Sequence, residues 1–303
     1  MTSVEINGHV EQSALPGLAR RWFEAATTGL LADVMEGLRD GEVALPGSTP
    51  ELRGRPWGNP GSMWASLTRF GTAAGRVSSR RAWSERGWEA FLKGLAKFPA
   101  GARLDLLELD SEGYSRHADR ASVLLRTVDE NSEWFQASCE FGSFPEGPRN
   151  RIARLAEEDA REFAWALVQE VPVTYGGVGD EGTAWNGTML EMRLARDAAA
   201  GVAQSREVLR AYPWVTVCGP EIAARLGGAG KLRATGAFCE VVELPTGSVW
   251  LQATERLADY EGEALHRVFH TLAPVLPPGR PRPYVGQEVG RIVYEDARAH
   301  ADS

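Results

Sequence analysis

The sequence predicts an α+β fold: a mostly antiparallel sheet of two strand–strand–helix blocks, packed against several amphipathic helices. Three observations predict it. Three strand-like segments between residues 102 and 141 are joined by short polar turns, which favours antiparallel pairing. Residues 237–253 have the pattern of a hairpin around a Pro-Thr-Gly turn. Segments with apolar residues at helical spacing precede the first block and follow both blocks.

The N-terminal part of the chain is predicted to be mainly helical. Residues 1–15 predict a short tail. Residues 15–39 carry a continuous apolar stripe, with proline near the start and glycine after the end, which indicates a packed helix. A loop rich in proline and glycine follows at 45–60. A second amphipathic helix with an aromatic face is predicted over 80–98.

The remaining elements follow from changes of period. The first block is predicted as three strands and a long helix, at 102–110, 121–128, 133–141 and 149–171. Glycines cluster over 173–188, which indicates a mobile loop, and acidic Asp180 and Glu181 within it argue against a phosphate loop. The second block is predicted as a strand, a helix, a hairpin and a closing helix, at 214–218, 221–226, 237–253 and 260–272.

Three parts describe the predicted domain organisation. Residues 1–50 hold the N-terminal helix and a linker, 51–280 form one α+β domain, and 281–303 form a C-terminal tail. Within the domain, 80–172 and 205–276 are candidate pseudo-repeats, because each places strands before a helix. No residue-level identity links the two blocks, so the repeat is a hypothesis about topology.

Charge is distributed unevenly along the chain. The net charge is −8, yet residues 52–103 hold ten arginines and lysines against two glutamates. The acidic balance disfavours nucleic-acid binding by the whole molecule, while the basic stretch indicates a solvated face or a local anion-facing patch. No apolar run is long enough for a transmembrane helix and no signal peptide is apparent, so no membrane association and a cytoplasmic location are expected.

Cysteine and histidine supply the strongest enzymatic alternative. Cys139, Cys218 and Cys239 each lie in an apolar run without CxxC spacing, which predicts buried free thiols. Cys218 also stands just before a predicted helix N-terminus, a position that lowers a thiol pKa. An enzyme that uses Cys218 as nucleophile, with His117 or His266 as base, is therefore the alternative function.

A helical histidine pair offers metal-ligand spacing. His266 and His270 are four residues apart, but Arg267 stands where zincin chemistry needs glutamate, and no third ligand is marked by pattern. Motifs of serine hydrolases, dinucleotide-binding proteins, kinases and P-loop proteins are absent from the sequence. The sequence therefore predicts no catalytic residues, no metal and no cofactor.

Three C-terminal segments carry a family resemblance. They are WVTVCGPEIAARLGG (214–228), VWLQAT (249–254) and FHTLAPVLP (269–277). A strand and helix ending in two glycines, then a glutamine-containing strand, then a helix that runs into a Leu-x-Pro end resemble the bacterial type VI immunity family. The resemblance covers residues 214–277 in the C-terminal half of the chain and rests on structural motifs.

The resemblance implies an α+β protein that binds a cognate toxin stoichiometrically and blocks it without turnover. An acidic inhibitor suits a basic toxin, because complementary charge speeds encounter. The candidate contact residues are a predicted acidic helix face, the acidic glycine-rich loop and two tryptophans, namely Glu157, Glu158, Asp159, Glu162, Asp180, Glu181, Trp57 and Trp64. Two alternatives stay open: the tryptophans cap a core edge, or the aromatic helix over 83–98 is an interface for self-association.

Overall fold

The computed structural model describes residues 1–40, 56–97, 100–115, 119–129, 132–142, 151–152, 155–180, 187–283 and 291–301. These residues form nine α-helices and ten strands, and each strand pair with a resolved register is antiparallel. Helices pack against the sheet, so the predicted α+β class with a mostly antiparallel sheet is confirmed.

The strands are β1 (Thr2–His9), β2 (Met63–Phe70), β3 (Val77–Ala82), β4 (Gly101–Glu108), β5 (Asp119–Thr127), β6 (Trp134–Gly142), β7 (Tyr175–Gly179), β8 (Val215–Cys218), β9 (Glu240–Glu243) and β10 (Val249–Gln252). The α-helices are α1 (Leu15–Ala25), α2 (Ala32–Asp40), α3 (Glu85–Leu95), α4 (Glu157–Val168), α5 (Met189–Arg193), α6 (Ala198–Ala203), α7 (Pro220–Arg225), α8 (Gly228–Ala234) and α9 (Gly262–Leu272). A π-helical turn, Ala26–Leu30, joins α1 to α2.

The chain divides into two compact units, of which unit 1 comprises Met1, 10–133 and 137–163. Its strands are hydrogen-bonded in the order β3-β2-β4-β5-β6. The ring centroids of Phe23 on α1 and Phe91 on α3 lie 5.1 Å apart, and those of Trp22 and Phe163 lie 5.2 Å apart. The prediction that aromatic side chains at helical spacing face a core is therefore confirmed for Trp22, Phe91 and Phe163, whereas Trp88 is half-buried and Phe98 lies outside the described residues.

Unit 2 comprises 2–9, 134–136 and 164–303. Its strands follow the order β1-β7-β8-β10-β9. The predicted hairpin is confirmed: β9 pairs with β10, and Gly247 supplies the turn with a φ of +82°. The strand before it and the closing helix are confirmed as β8 and α9. Trp214, Trp250 and Phe269 are fully buried in this unit and form much of its core.

The prediction of an N-terminal tail is wrong, because Thr2–His9 forms β1, which pairs with β7 in unit 2. Both faces of β1 are buried, since Val4 and Ile6 are buried and so are Glu5 and Asn7. The alternation of Val4 and Ile6 with Glu5 and Asn7 has the period of a strand, but it is only four residues long, and the polar residues within it are also typical of an exposed segment.

Arg210 explains how the polar face of β1 is buried. Its guanidinium donates to Glu5, to Asn7 and, through Nε and Nη2 at 2.8 and 2.7 Å, to both carboxylate oxygens of Glu191. Gln136 Nε2 adds a further donor to Glu5 Oε1 at 2.8 Å. Buried charges are tolerated when they are paired and hydrogen-bonded, so this network satisfies the groups that β1 brings into unit 2.

Part of the glycine-rich segment predicted as a mobile loop over 173–188 is instead a strand, and residues 181–186 of that segment lie outside the described residues. Residues 175–179 form the buried strand β7 between β1 and β8. A Cβ atom at Gly177 would lie 2.7 Å from Cγ of Pro213, and a Cβ atom at Gly176 would lie 3.1 Å from Cβ of Val217. The glycines are therefore needed for close packing inside a strand.

Three smaller corrections concern element boundaries. Residues 80–82 belong to the edge strand β3, and the aromatic helix begins at Glu85, where Ser84 caps it by accepting from the Gly87 N–H. In the described residues the long acidic helix begins at Glu157. Helix α8 was not predicted. The three predicted strands of the first block are confirmed as β4, β5 and β6.

No helix among the described residues has both the length and the apolar character needed to span a bilayer.

Candidate functional site

An acidic surface lies at the start of α4 in unit 1. Its residues, here called the acidic turn, are Glu157, Glu158, Asp159 and Glu162. The helix begins there because Asp159 Oδ2 accepts a hydrogen bond of 2.8 Å from the backbone N–H of Ala156. Three acids in the first turn also complement the positive end of the helix dipole. The acidic turn therefore has a structural role besides any binding role.

Two members of the acidic turn are available to a partner. Glu158 and Glu162 are exposed and four residues apart, so they lie on one helix face. Within the described part of the chain, neither makes an ion pair, and Glu157 is half-buried. Like charges at this spacing repel weakly, and a basic partner would relieve that repulsion.

The other acidic candidates are placed differently. Asp180 follows β7 in unit 2 and forms an ion pair with Arg291, so it holds the C-terminal segment of its own unit. Glu181 lies outside the described residues. The structure thus brings together the four acids of α4, while Asp180 is engaged elsewhere.

The two candidate tryptophans form a small apolar cluster. Trp64 on β2 is 2% exposed and packs against Leu109, with Leu107 and half-buried Trp57 beside them. The tryptophan ring centroids lie 5.6 Å apart at an angle of 68°. This arrangement agrees with the alternative interpretation, in which the two tryptophans cover the edge of a core. Trp57 is partly exposed, whereas Trp64 is buried.

Basic residues lie at the β3 edge of the unit 1 sheet. A cavity of about 80 Å³ there is lined by Arg69 and Arg81 together with Ser79 of the edge strand β3. Arg69 Nε donates to Ser79 Oγ at 3.0 Å, so one guanidinium is already held in place. The basic stretch seen in the sequence is therefore in part a local feature of this edge.

The cysteine nucleophile of the alternative function is inaccessible. Cys218 ends β8 with no exposed surface, and burial raises the pKa of its thiol to about 12. This direction is opposite to the one predicted from its place before a helix, because desolvation disfavours the thiolate. Cys139 is buried as predicted, whereas Cys239 is exposed, which corrects the prediction that all three thiols are buried.

Thiol labelling of the native protein is expected to modify one cysteine per chain. Cys239 is the exposed thiol, while Cys139 and Cys218 are fully buried and protonated at neutral pH. Quantification with a chromogenic disulfide at pH 7.5, followed by peptide mapping, checks this. Denatured protein, in which all three should react, is the control. Fast labelling of Cys218 in the native state would contradict the burial described here and would support the alternative function, in which Cys218 is a catalytic nucleophile.

The histidine pair has a third neighbour that the sequence did not reveal. His266 and His270 lie on the exposed side of α9 with ring centroids 6.1 Å apart. His270 also stacks on His300, with centroids 4.6 Å apart and an angle of 15°. No spacing pattern signals this contact, because His300 comes from a segment predicted to be a tail. His117 lies outside the described residues.

Comparison with known proteins adds information on the fold. No protein-family model matches the sequence, and no curated protein matches it. Among solved structures, the chain is similar to the Pseudomonas aeruginosa T6SS protein PA0821, with a TM-score of 0.52 and 12% identity over 98% of this chain and 80% of that one. At this identity the likeness shows a shared fold alone. The class that the fold defines is thus an α+β protein with the architecture of that type VI secretion system protein.

Proposed function

We propose that this chain is a non-catalytic immunity protein that neutralises a cognate toxin of a type VI secretion system by stoichiometric binding. The observation that carries the proposal is the acidic turn, where exposed Glu158 and Glu162 present negative charge on one face of α4. The sequence resemblance to the type VI immunity family and the fold shared with a T6SS protein support it.

Charge defines the partner. A basic toxin would be attracted to the acidic turn, and complementary charge raises association rates by about 10-fold to 1000-fold at low salt. Such a toxin would be inhibited when the bound protein covers its active site. A protein with this role would act in the cytoplasm, where it meets the toxin before damage occurs.

The absence of turnover is the second part of the proposal. Blocking by binding needs rigid surface and charge, and the acidic turn offers both on a helix capped by Asp159. The alternative, an enzyme that uses Cys218, would need an accessible thiolate. Burial keeps this thiol protonated, so no described feature favours the alternative.

Capture and toxicity identify the partner. The purified protein is immobilised, incubated with lysate of its source strain, and eluted with salt. The expected result is one enriched basic protein that is toxic when expressed alone and harmless when expressed with this chain. A captured protein without toxicity, or toxicity that co-expression leaves unchanged, would contradict the proposal.

Charge reversal at the acidic turn is expected to slow association with the toxin. The double variant Glu158→Lys/Glu162→Lys should lower the association rate by on the order of tenfold or more and flatten its salt dependence, because long-range attraction is lost. Surface plasmon resonance at several ionic strengths measures both quantities.

A matched control separates steering from helix stability. The double variant Asp33→Lys/Glu36→Lys changes the same charge on two exposed acids at the start of α2, in the same unit. We expect it to associate at a rate close to that of the unmodified protein. Equal rates for the unmodified protein and the α4 variant would exclude the acidic turn as the contact surface.

A further inference from the structure

The exposed side of α9 carries histidines that the proposed function does not use. Leu265, Val268 and Phe269 fix one side of this helix in the core of unit 2, which leaves His266 and His270 on the other side. Because the helix is anchored by its apolar face, the Cα positions of both histidines are fixed. The remaining freedom of the two histidines is rotation about their side-chain bonds, and the groups next to them determine which rotamers they adopt.

The segment 291–301 is also anchored in unit 2. Ile292 and Val293 are buried, and the backbone N–H of Val293 donates to the Tyr212 hydroxyl at 2.8 Å. Asp296 Oδ1 accepts from the backbone N–H groups of Gly279 and Arg298 at 2.8 and 3.0 Å. These bonds hold the short helical turn Ala297–His300 in a defined position next to α9.

Three metal-ligating side chains converge where these two elements meet. His300 Nε2 lies 2.8 Å from Glu295 Oε2, and the His270 ring stacks on the His300 ring. One ligand atom from each of His270, Glu295 and His300 falls within 4.8 Å of the other two. Ligand atoms around a tetrahedral Zn²⁺ ion lie about 3.4 Å apart, given bonds of about 2.0–2.2 Å. Small rotations of exposed side chains would therefore suffice for coordination.

We propose that His270, Glu295 and His300 bind a divalent transition-metal ion of the Zn²⁺ type. Two imidazoles and one carboxylate form a ligand set that such ions prefer, and Ca²⁺ or Mg²⁺ would require more oxygen ligands. Water, or His266 one turn away on α9, would complete the coordination sphere. The ion would join the C-terminal segment to α9, which is a structural role independent of toxin binding.

Calorimetry on the tag-free, full-length protein tests the site. Titration with ZnCl₂ is expected to give one binding site per chain, and Co²⁺ is expected to give visible absorption bands typical of a tetrahedral histidine site. Zinc should also slow amide hydrogen exchange in residues 295–301 relative to protein treated with chelator, because the ion links that segment to α9.

Variants assign the ligands. His270→Gln and Glu295→Gln should each weaken zinc affinity by at least about tenfold. Mutating a group that only hydrogen-bonds to a metal ligand already weakens affinity by about tenfold or more, and loss of the ligand itself should weaken it further. Glu263→Gln, which changes an exposed carboxylate on the same helix, should bind as the unmodified protein does. Absence of binding at millimolar zinc, or equal affinity for His270→Gln and the unmodified protein, would overturn the proposal. Because His270 and Glu295 are exposed, neither variant threatens the fold.

Discussion

Replacing Arg210 by methionine is expected to lower the free energy of unfolding by about 3–5 kcal/mol, because it leaves buried carboxylates without their partner. Arg210 is buried, with 1% of its side chain exposed, and it bridges Glu5 of β1 and Glu191 of α5. Burial acts to lower the pKa of Arg210, but the charge of Glu5 and the hydrogen bonds and charge of Glu191 outweigh it and raise the pKa. The guanidinium is therefore charged at neutral pH.

Glu191 makes this loss larger than that of a single ion pair. Its carboxylate accepts from the Thr188 backbone N–H at 2.8 Å, and the Thr188 hydroxyl accepts from the Glu191 N–H at 3.2 Å, which forms a capping box for α5. The Thr188 hydroxyl also donates to the Arg210 carbonyl at 3.1 Å. Removal of the guanidinium thus disturbs the start of a helix as well as one face of β1.

Urea denaturation followed by circular dichroism measures the effect, and hydrogen exchange locates it. Exchange should rise first in residues 2–9, because Glu5 loses its charged partner and keeps only neutral donors such as Gln136 Nε2. The control is Arg206→Met, four residues earlier, where a half-exposed arginine makes a 3.5 Å contact with Glu221 and should cost less than about 1 kcal/mol. Equal losses for the two variants would show that the buried network does not anchor β1.

Replacing Trp214 by alanine is expected to cost about 3–5 kcal/mol, the usual range for a buried tryptophan. Trp214 precedes β8 and is 1% exposed, and its indole Nε1 donates to the Thr254 carbonyl at 2.8 Å. The truncation would open a large cavity in unit 2 and remove one of two side-chain donors to that carbonyl, which keeps the 2.9 Å hydrogen bond from Gln252 Nε2. Trp214→Phe keeps most of the volume and should cost less, at roughly 1–3 kcal/mol.

Trp134→Ala is the control for this prediction, since Trp134 is half-buried in the same unit and contacts His9 and Arg206 at its edge. Its loss should stay below about 2 kcal/mol. Urea midpoints for the three variants give the comparison. A Trp214→Ala midpoint as high as that of Trp134→Ala would contradict the packing of unit 2 described here.

Strongly periodic segments were predictable from the sequence. The apolar stripe over 15–39 becomes α1 and α2, and the hairpin over 237–253 becomes β9 and β10. In both cases one face is apolar and the other polar, so the hydrophobic period reports the structure directly. The α+β class followed from these segments because short turns between strands require antiparallel pairing.

Strands whose amino-acid pattern reflects contacts with residues distant in the sequence were not predicted. In β1 the polar face is buried by Arg210, which lies about two hundred residues away in the sequence. In β7, glycines replace the usual β-branched residues because Pro213 and Val217 approach closely. The edge strand β3 carries two arginines and two serines, so its composition favoured inclusion in the following helix. In each strand the residue composition is explained by the position of the strand in the fold, which the local sequence does not show.

The candidate site was predictable in part. The acids of α4 were found because a run of acidic residues at helical spacing is visible in the sequence, and three of the four are exposed. The burial of Trp64 and the pairing of Asp180 with Arg291 depend on contacts between distant segments. The same limit applies to His270, Glu295 and His300, where only the helical spacing of two histidines gave a local signal.

Titration of toxin activity with this protein tests the central claim, stoichiometric neutralisation without turnover. The captured toxin is held at a concentration far above the dissociation constant, and its residual activity is measured after addition of increasing amounts of the protein. The account predicts a linear fall in activity that reaches zero at one equivalent and does not change with incubation time. Complete inactivation by a small fraction of an equivalent would show catalytic turnover and contradict the account.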